Sequence, residues 1–179
     1  MAYRLIVIAI AILSFQSLNE AKRPFTIEIN NFTCRTLDPS WGHEFSCIIY
    51  RKRIVPVMYA RFSLKETAND FNLWLDVGIL KKDKTKISIG RHKLDGCKFL
   101  ESFYSNNIFG KFFKRILSVS NFPKGCPVPA NTVFEIRNYT VLVDEYPPNV
   151  PALTHQLTLQ IEKDNKIIAD VYVEGSIIY

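Results

Sequence analysis

The chain is poor in the residue patterns that carry out chemistry. Its three histidines, His43, His92 and His155, are scattered along the sequence. It contains no Gly-x-Ser-x-Gly elbow, no His-Glu-x-x-His pair and no glycine-rich phosphate loop, so no familiar hydrolase, metalloprotease or nucleotide-binding signature is present. None of the four cysteines, Cys34, Cys47, Cys97 and Cys126, pairs with another at the two-residue spacing of zinc or dithiol redox sites. No apolar run approaches the ~20 residues needed to cross a bilayer. These absences leave no catalytic residue, metal ligand or cofactor to assign, and the expectation is a protein that is not an enzyme. His155 lies in a strand pattern and can face either way. "DGC" at 95–97 puts a cysteine beside a carboxylate, a pattern that reads better as a disulfide next to a helix cap than as a reactive thiol.

What the sequence does contain begins with its start. Arg4 precedes the apolar run "LIVIAIAIL" at 5–13, and a polar exit, "SFQSLNEAKR", follows. A basic head, a short apolar stretch and a polar exit predict a secretory signal over 1–21, cleaved between Ser17 and Ala21, leaving 22–179 as a single extracellular domain. Losing 1–21 removes one cation, Arg4, and one anion, Glu20, so the net charge of +6 is unchanged. For a secreted chain, that charge favours glycans, lipid head groups or protein receptors over nucleic acid. The even cysteine count predicts two disulfides. Three pairings are possible, and pairing of neighbours, Cys34–Cys47 and Cys97–Cys126, is preferred. The sequons at Asn31 and Asn138 predict glycosylation at two surface positions.

Most of the chain reads as short alternating strands. "FTIEI" at 25–29 puts Phe25, Ile27 and Ile29 on one face, and the phase then slips to Phe32 and Cys34, which predicts a bulge at Asn30–Asn31. Further strands are expected at 44–50, 55–65, 71–80, 84–94, 132–143, 153–163 and 167–178. Trp74 opposes the inward residues of its strand. The lysine-rich 84–94 segment suits a sheet edge. "KDNK" at 163–166 marks a hairpin, and "YPPNVPA" at 146–152 is a crossing that cannot be a central strand. The expected fold is mainly β: an antiparallel sandwich or cup of about eight strands, held by disulfides, with one inserted amphipathic helix.

The helix is the exception to the strand pattern. In "CKFLESFYSNNIFGKFFKRIL", Phe109, Phe112, Phe113, Ile116 and Leu117 recur at helical spacing, with Lys111, Lys114 and Arg115 on the other arc. Asp95 suits the helix start, Asn121 with Pro123 suits its end, and "SNN" at 105–107 is a possible break. Two readings stand: filler for the core, or the lid of an apolar pocket.

The early cysteine pair, "DGCKFL" at 95–100, "NFPKGCPVPANTVFEIRNYTV" at 121–141, "PPNVPA" at 147–152 and the late Glu174–Gly175 together resemble the insect CheB chemosensory proteins and their sister secreted families. Those proteins in turn look like the ML lipid-recognition superfamily, whose ganglioside-activator member is a β-cup around an apolar cavity. The resemblance implies an ML-like cup that carries an apolar ligand, lipid or hydrocarbon, in pheromone perception. It favours the lid reading, with Phe99, Phe103, Phe109, Phe112, Phe113, Ile116 and Leu117 as ligand-binding residues. The alternatives are a secreted interaction protein that meets a receptor or glycan through the basic loops 51–53 and 81–86, and a membrane-lipid extractor whose basic helix face meets anionic head groups.

Overall fold

The computed structural model describes residues 23–51, 55–106 and 110–179. The expected signal segment 1–21, Lys52 and Arg53 of the basic loop 51–53, and Phe109 lie outside the described residues. Eight antiparallel strands form two sheets: β1 (Thr26–Thr36), β2 (Gly42–Tyr50), β3 (Val57–Leu64), β4 (Asn72–Leu80), β5 (Lys86–Asp95), β6 (Val133–Tyr139), β7 (Thr154–Lys163) and β8 (Lys166–Ile178). One sheet has five strands in the order β1-β8-β7-β4-β5, and the other has three in the order β2-β3-β6.

Local sequence explains several joints. The β1–β8 register shifts between Ile29 and Asn31, where the hydrophobic phase slips, so Ile29 and then Phe32 face inward while Asn31 stays exposed. The β7–β8 hairpin turns through Asp164 (φ 51°) and Asn165 (φ 60°), two residue types that tolerate the left-handed conformation its tight turn demands. On β4, Leu73 and Leu75 are buried. Trp74 lies on the outer face, where Arg91 stacks at 4.5 Å and Lys93 at 5.2 Å. β5 occupies an edge, as its lysines suggest. β6 stops at Tyr139, four residues short of the expected strand end. Its partner β3 begins at Val57, and Asn138 adopts φ 56°, so the ladder has nothing left to pair with. Asn138 is exposed there.

The single inserted helix of the sequence reading is two helices: α1 (Gly96–Leu100) and α2 (Gly110–Ser118), with a 3-10 turn at Phe103–Asn106 between them. Ser102, at φ 63°, takes the chain out of α-helix. Asp95 caps α1, its carboxylate accepting the Lys98 N–H at 3.0 Å. α2 ends at Ser118, before Asn121. Residues 119–121 instead run along β6: Arg137 N–H donates to the Val119 carbonyl at 2.8 Å, and Asn121 accepts the Glu135 N–H at 2.6 Å. Gly110 seats the first turn of α2 on the 3-10 turn. A Cβ there would lie 1.8 Å from the Ser105 carbonyl oxygen. Gly110→Ala is therefore expected to force the two apart and lower stability by about 1–3 kcal/mol, the range for overpacking a tight contact. Urea unfolding checks this, and an unchanged midpoint would refute the contact.

Both preferred disulfides are present, Cys34–Cys47 and Cys97–Cys126. The first joins β1 to β2, each at an edge of its own sheet. The second ties Cys97, just past edge strand β5, to Cys126, on the approach to edge strand β6. The first bridge thus links the two sheets directly, and the second links the segment that follows β5 to the one that precedes β6. No helix among the described residues is long and apolar enough to cross a membrane.

Candidate functional site

The inward faces of the sheets form two apolar clusters. One gathers Ala68, Leu73, Leu75, Phe99, Leu100, Phe113, Val128 and Phe134. The other gathers Ile29, Met58 and Tyr139 toward the end of the sandwich where β1 begins. α2 spans both: Phe113 belongs to the first, Leu117 packs against it, and Ile116 packs against the second. An amphipathic helix with Lys111 and Lys114 turned outward achieves this because residues three and four apart share a face.

The middle strand of the larger sheet behaves unusually for such a core. β7 has neighbours on both sides, yet its inward Leu157, Leu159 and Ile161 are only half-buried, as is Val173 beside them on β8. In a close-packed sandwich these central inward positions are the most completely covered. Here apolar surface remains accessible between the sheets. A pocket of about 30 Å³ lies at the β7–β8 hairpin end, lined by Trp41, Phe45, Phe62, Leu64, Ile161 and Ile168 among others. It has room for about one water molecule.

A polar group sits at the opposite end. His155, on the inner face of β7, pairs across the sheet with Gly175. Its Nε2 is 3.0 Å from the Tyr146 hydroxyl. The Tyr146 ring meets the Phe112 ring edge-on at 5.5 Å and the His155 ring at 5.7 Å. Burial pushes the His155 pKa down and the Tyr146 pKa up to about 12, the latter with help from the Glu145 charge, so both side chains are neutral at neutral pH. Nearby, Arg115 of α2 donates to Glu145 at 3.1 Å and to Thr140 at 2.6 Å, and lies over the Tyr139 ring at 5.5 Å. Burial first, then the Glu145 charge, pushes the Tyr139 pKa up as well. These contacts fasten the 140–153 crossing to α2 and to the sheet.

The structure divides the predicted ligand residues. Phe99 (7% exposed) and Phe113 (9%) meet edge-on at 5.0 Å inside the first cluster. Leu117, Ile116 and Phe112 lie half-buried around the interior. Phe103 is 66% exposed, against Tyr104 and under the Lys98 ammonium, away from the interior. Tyr146 and the Arg115–Glu145 pair were not singled out from sequence. His155 was, without a face. The alternation His155, Leu157, Leu159, Ile161 carries the missing information, because one parity is one face of a strand.

No curated protein matches the chain in sequence. A family described as a protein of unknown function (DUF1091) matches residues 72–157, from β4 through both helices to the start of β7. Among solved structures, the chain is similar to a Niemann-Pick type C2 protein from Japanese carpenter ant. The two share 12% identity at a TM-score of 0.40, over 78% of this chain and 95% of that one. It is also similar to chicken MD-1, solved in complex with lipid IVa, with 13% identity and a TM-score of 0.36, over 86% of this chain and 97% of that one.

Proposed function

We propose that this protein is a secreted, glycosylated, non-enzymatic carrier or presenter of apolar small molecules, acting on a lipid or hydrocarbon ligand in chemosensory perception. The observation that carries the reading is the half-covered inner face of β7, the middle strand of its sheet, whose own outer positions are polar. Apolar surface enclosed by two sheets and a helix, with a few polar groups at one end, is the usual make-up of a small-molecule site. The resemblance to the CheB proteins supports the chemosensory setting. The signal-like start, the two disulfides and the exposed Asn31 and Asn138 support secretion and glycosylation.

The basic-surface alternative has less to stand on. Lys84 is paired with Glu174 at 3.2 Å and Lys86 with Asp76 at 2.6 Å, while Arg51 is spent on the Asn30 carbonyl at 2.6 Å. The two ion pairs offset part of the loop 81–86 charge, while Lys81 and Lys82 remain exposed. The test of the carrier reading is titration of the folded, delipidated protein with an environment-sensitive apolar fluorophore. Saturable, stoichiometric binding that an unlabelled long-chain lipid displaces is expected. Signal that never saturates, or that no lipid displaces, ends the reading.

A further inference from the structure

The Tyr146–His155 pair has a chemical direction that the apolar interior around it lacks. Among the described residues, the one hydrogen-bond partner of the Tyr146 hydroxyl is His155 Nε2, at 3.0 Å. A buried hydroxyl that does not donate is costly, so Tyr146 donates and Nε2 accepts. The proton of the neutral imidazole therefore sits on Nδ1, which makes Nδ1 a donor. Among the described residues, Nδ1 is buried without a hydrogen-bond partner. An orphaned donor in a native interior calls for an acceptor.

The backbone makes room for this ring. A Cβ on Gly175, opposite His155 on β8, would come within 2.9 Å of the imidazole Cε1 and Nε2. The next inward residue along β7 is Leu157, half-buried, so the imidazole, its Nδ1 itself covered, stands at one end of the half-buried apolar strip. The charge environment limits what can bind there. The α2 cation at this end, Arg115, is already committed to Glu145 and Thr140. His155 is held neutral by burial. A carboxylate or phosphate placed here would lose its hydration, and neither of these two groups could replace it with a free charge; a further cation at the crossing, Arg23, faces Asp144 at 3.5 Å, with its Nη1 buried and unpartnered among the described residues.

We infer that His155 Nδ1 donates a hydrogen bond to the carbonyl oxygen of an uncharged, long-chain ligand, an ester, ketone or aldehyde, whose chain lies along Leu157 and Leu159. The inference rests on the carrier reading and narrows it from apolar molecules in general to those with one neutral acceptor near an end.

The test compares an n-alkane, a methyl ester and a fatty-acid anion of equal chain length as displacers of an apolar fluorophore from the delipidated protein. The ester is expected to displace it about five- to tenfold better than the alkane, the worth of one net hydrogen bond, and the anion worse than the ester. His155→Leu is expected to erase the ester preference, so that ester and alkane displace the fluorophore from the variant equally well. Tyr146→Phe, which frees the tautomer, is expected to shrink the preference. In the wild type, the imidazole nitrogen shifts should move on adding ester but not alkane, a readout that needs no variant to fold. Equal displacement by alkane and ester overturns the inference and leaves the carrier reading standing, as does an Nδ1 shift that ignores the ester. Failure of both ligands to bind removes the two together.

Discussion

Replacing Phe113 with alanine is expected to cost about 3–5 kcal/mol, the full penalty for emptying a packed phenylalanine site. The argument is local. Phe113 is buried, its ring meets Phe99 edge-on at 5.0 Å, and it sits among Leu73, Leu75 and Phe134. The space it would leave cannot collapse easily, because α2 is held at its start by Gly110 against Ser105 and past its end by hydrogen bonds to β6. For a domain of this size the loss corresponds to a fall in Tm of roughly 6–20 °C. Phe103→Ala is the control: that ring is mostly in solvent, and its removal should change stability by no more than about 0.5 kcal/mol. Thermal melts of both variants decide the matter. A Phe113→Ala melt close to that of Phe103→Ala would mean that α2 does not pack as described. The comparison also separates the roles of the predicted ligand residues. Phe99 and Phe113 pack inside the first apolar cluster, and on the carrier reading the predicted residues open to a ligand are the half-buried Phe112, Ile116 and Leu117.

Loss of the Cys97–Cys126 bridge should be nearly as severe. The two cysteines are 29 residues apart, and between them lie α1, the 3-10 turn and α2. In the chain-entropy account, closing a loop of that length restricts the unfolded ensemble by about 3–4 kcal/mol. The double variant Cys97→Ala/Cys126→Ala is therefore expected to lose that amount in a guanidinium unfolding curve. Removing Cys34–Cys47, whose partners are 13 residues apart, should cost roughly 0.5–1 kcal/mol less by the same account. A loss below about 1 kcal/mol for the longer loop would show that the helical segment keeps its place without the bridge and that the unfolded chain gains little freedom when it is cut.

Much of the fold was legible because strand patterns are local. Alternation in 71–80 identified Leu73 and Leu75 as inward and Trp74 as outward, and the phase slip after Ile29 marked the bulge. Asp164–Asn165 announced their hairpin through residue type alone. The helical region was harder. Periodicity from Phe109 to Leu117 finds an amphipathic helix and "SNN" offers a possible break, but neither announces the left-handed Ser102 at which the chain leaves the first helix. The overlong β6 failed for a related reason. "NYTVLV" alternates well enough, yet a strand needs a neighbour, and β3 supplies none past Val57. The polar end of the interior was least legible. Tyr146 comes from an irregular crossing and His155 from a strand, and the Arg115–Glu145 pair joins a helix to that same crossing. Contacts of this kind arise from tertiary placement, and no periodicity encodes them.

The two bridges also bear on the carrier reading. A sandwich fastened along one side can swing apart. Here one bridge joins edge strands β1 and β2 directly, and the other joins α1, just past β5, to the segment that leads into β6. Both limit how far the sheets can part. If the interior carries a ligand, it would therefore sort guests by girth more than by length, and added methylenes would be tolerated better than a methyl branch or a fused ring.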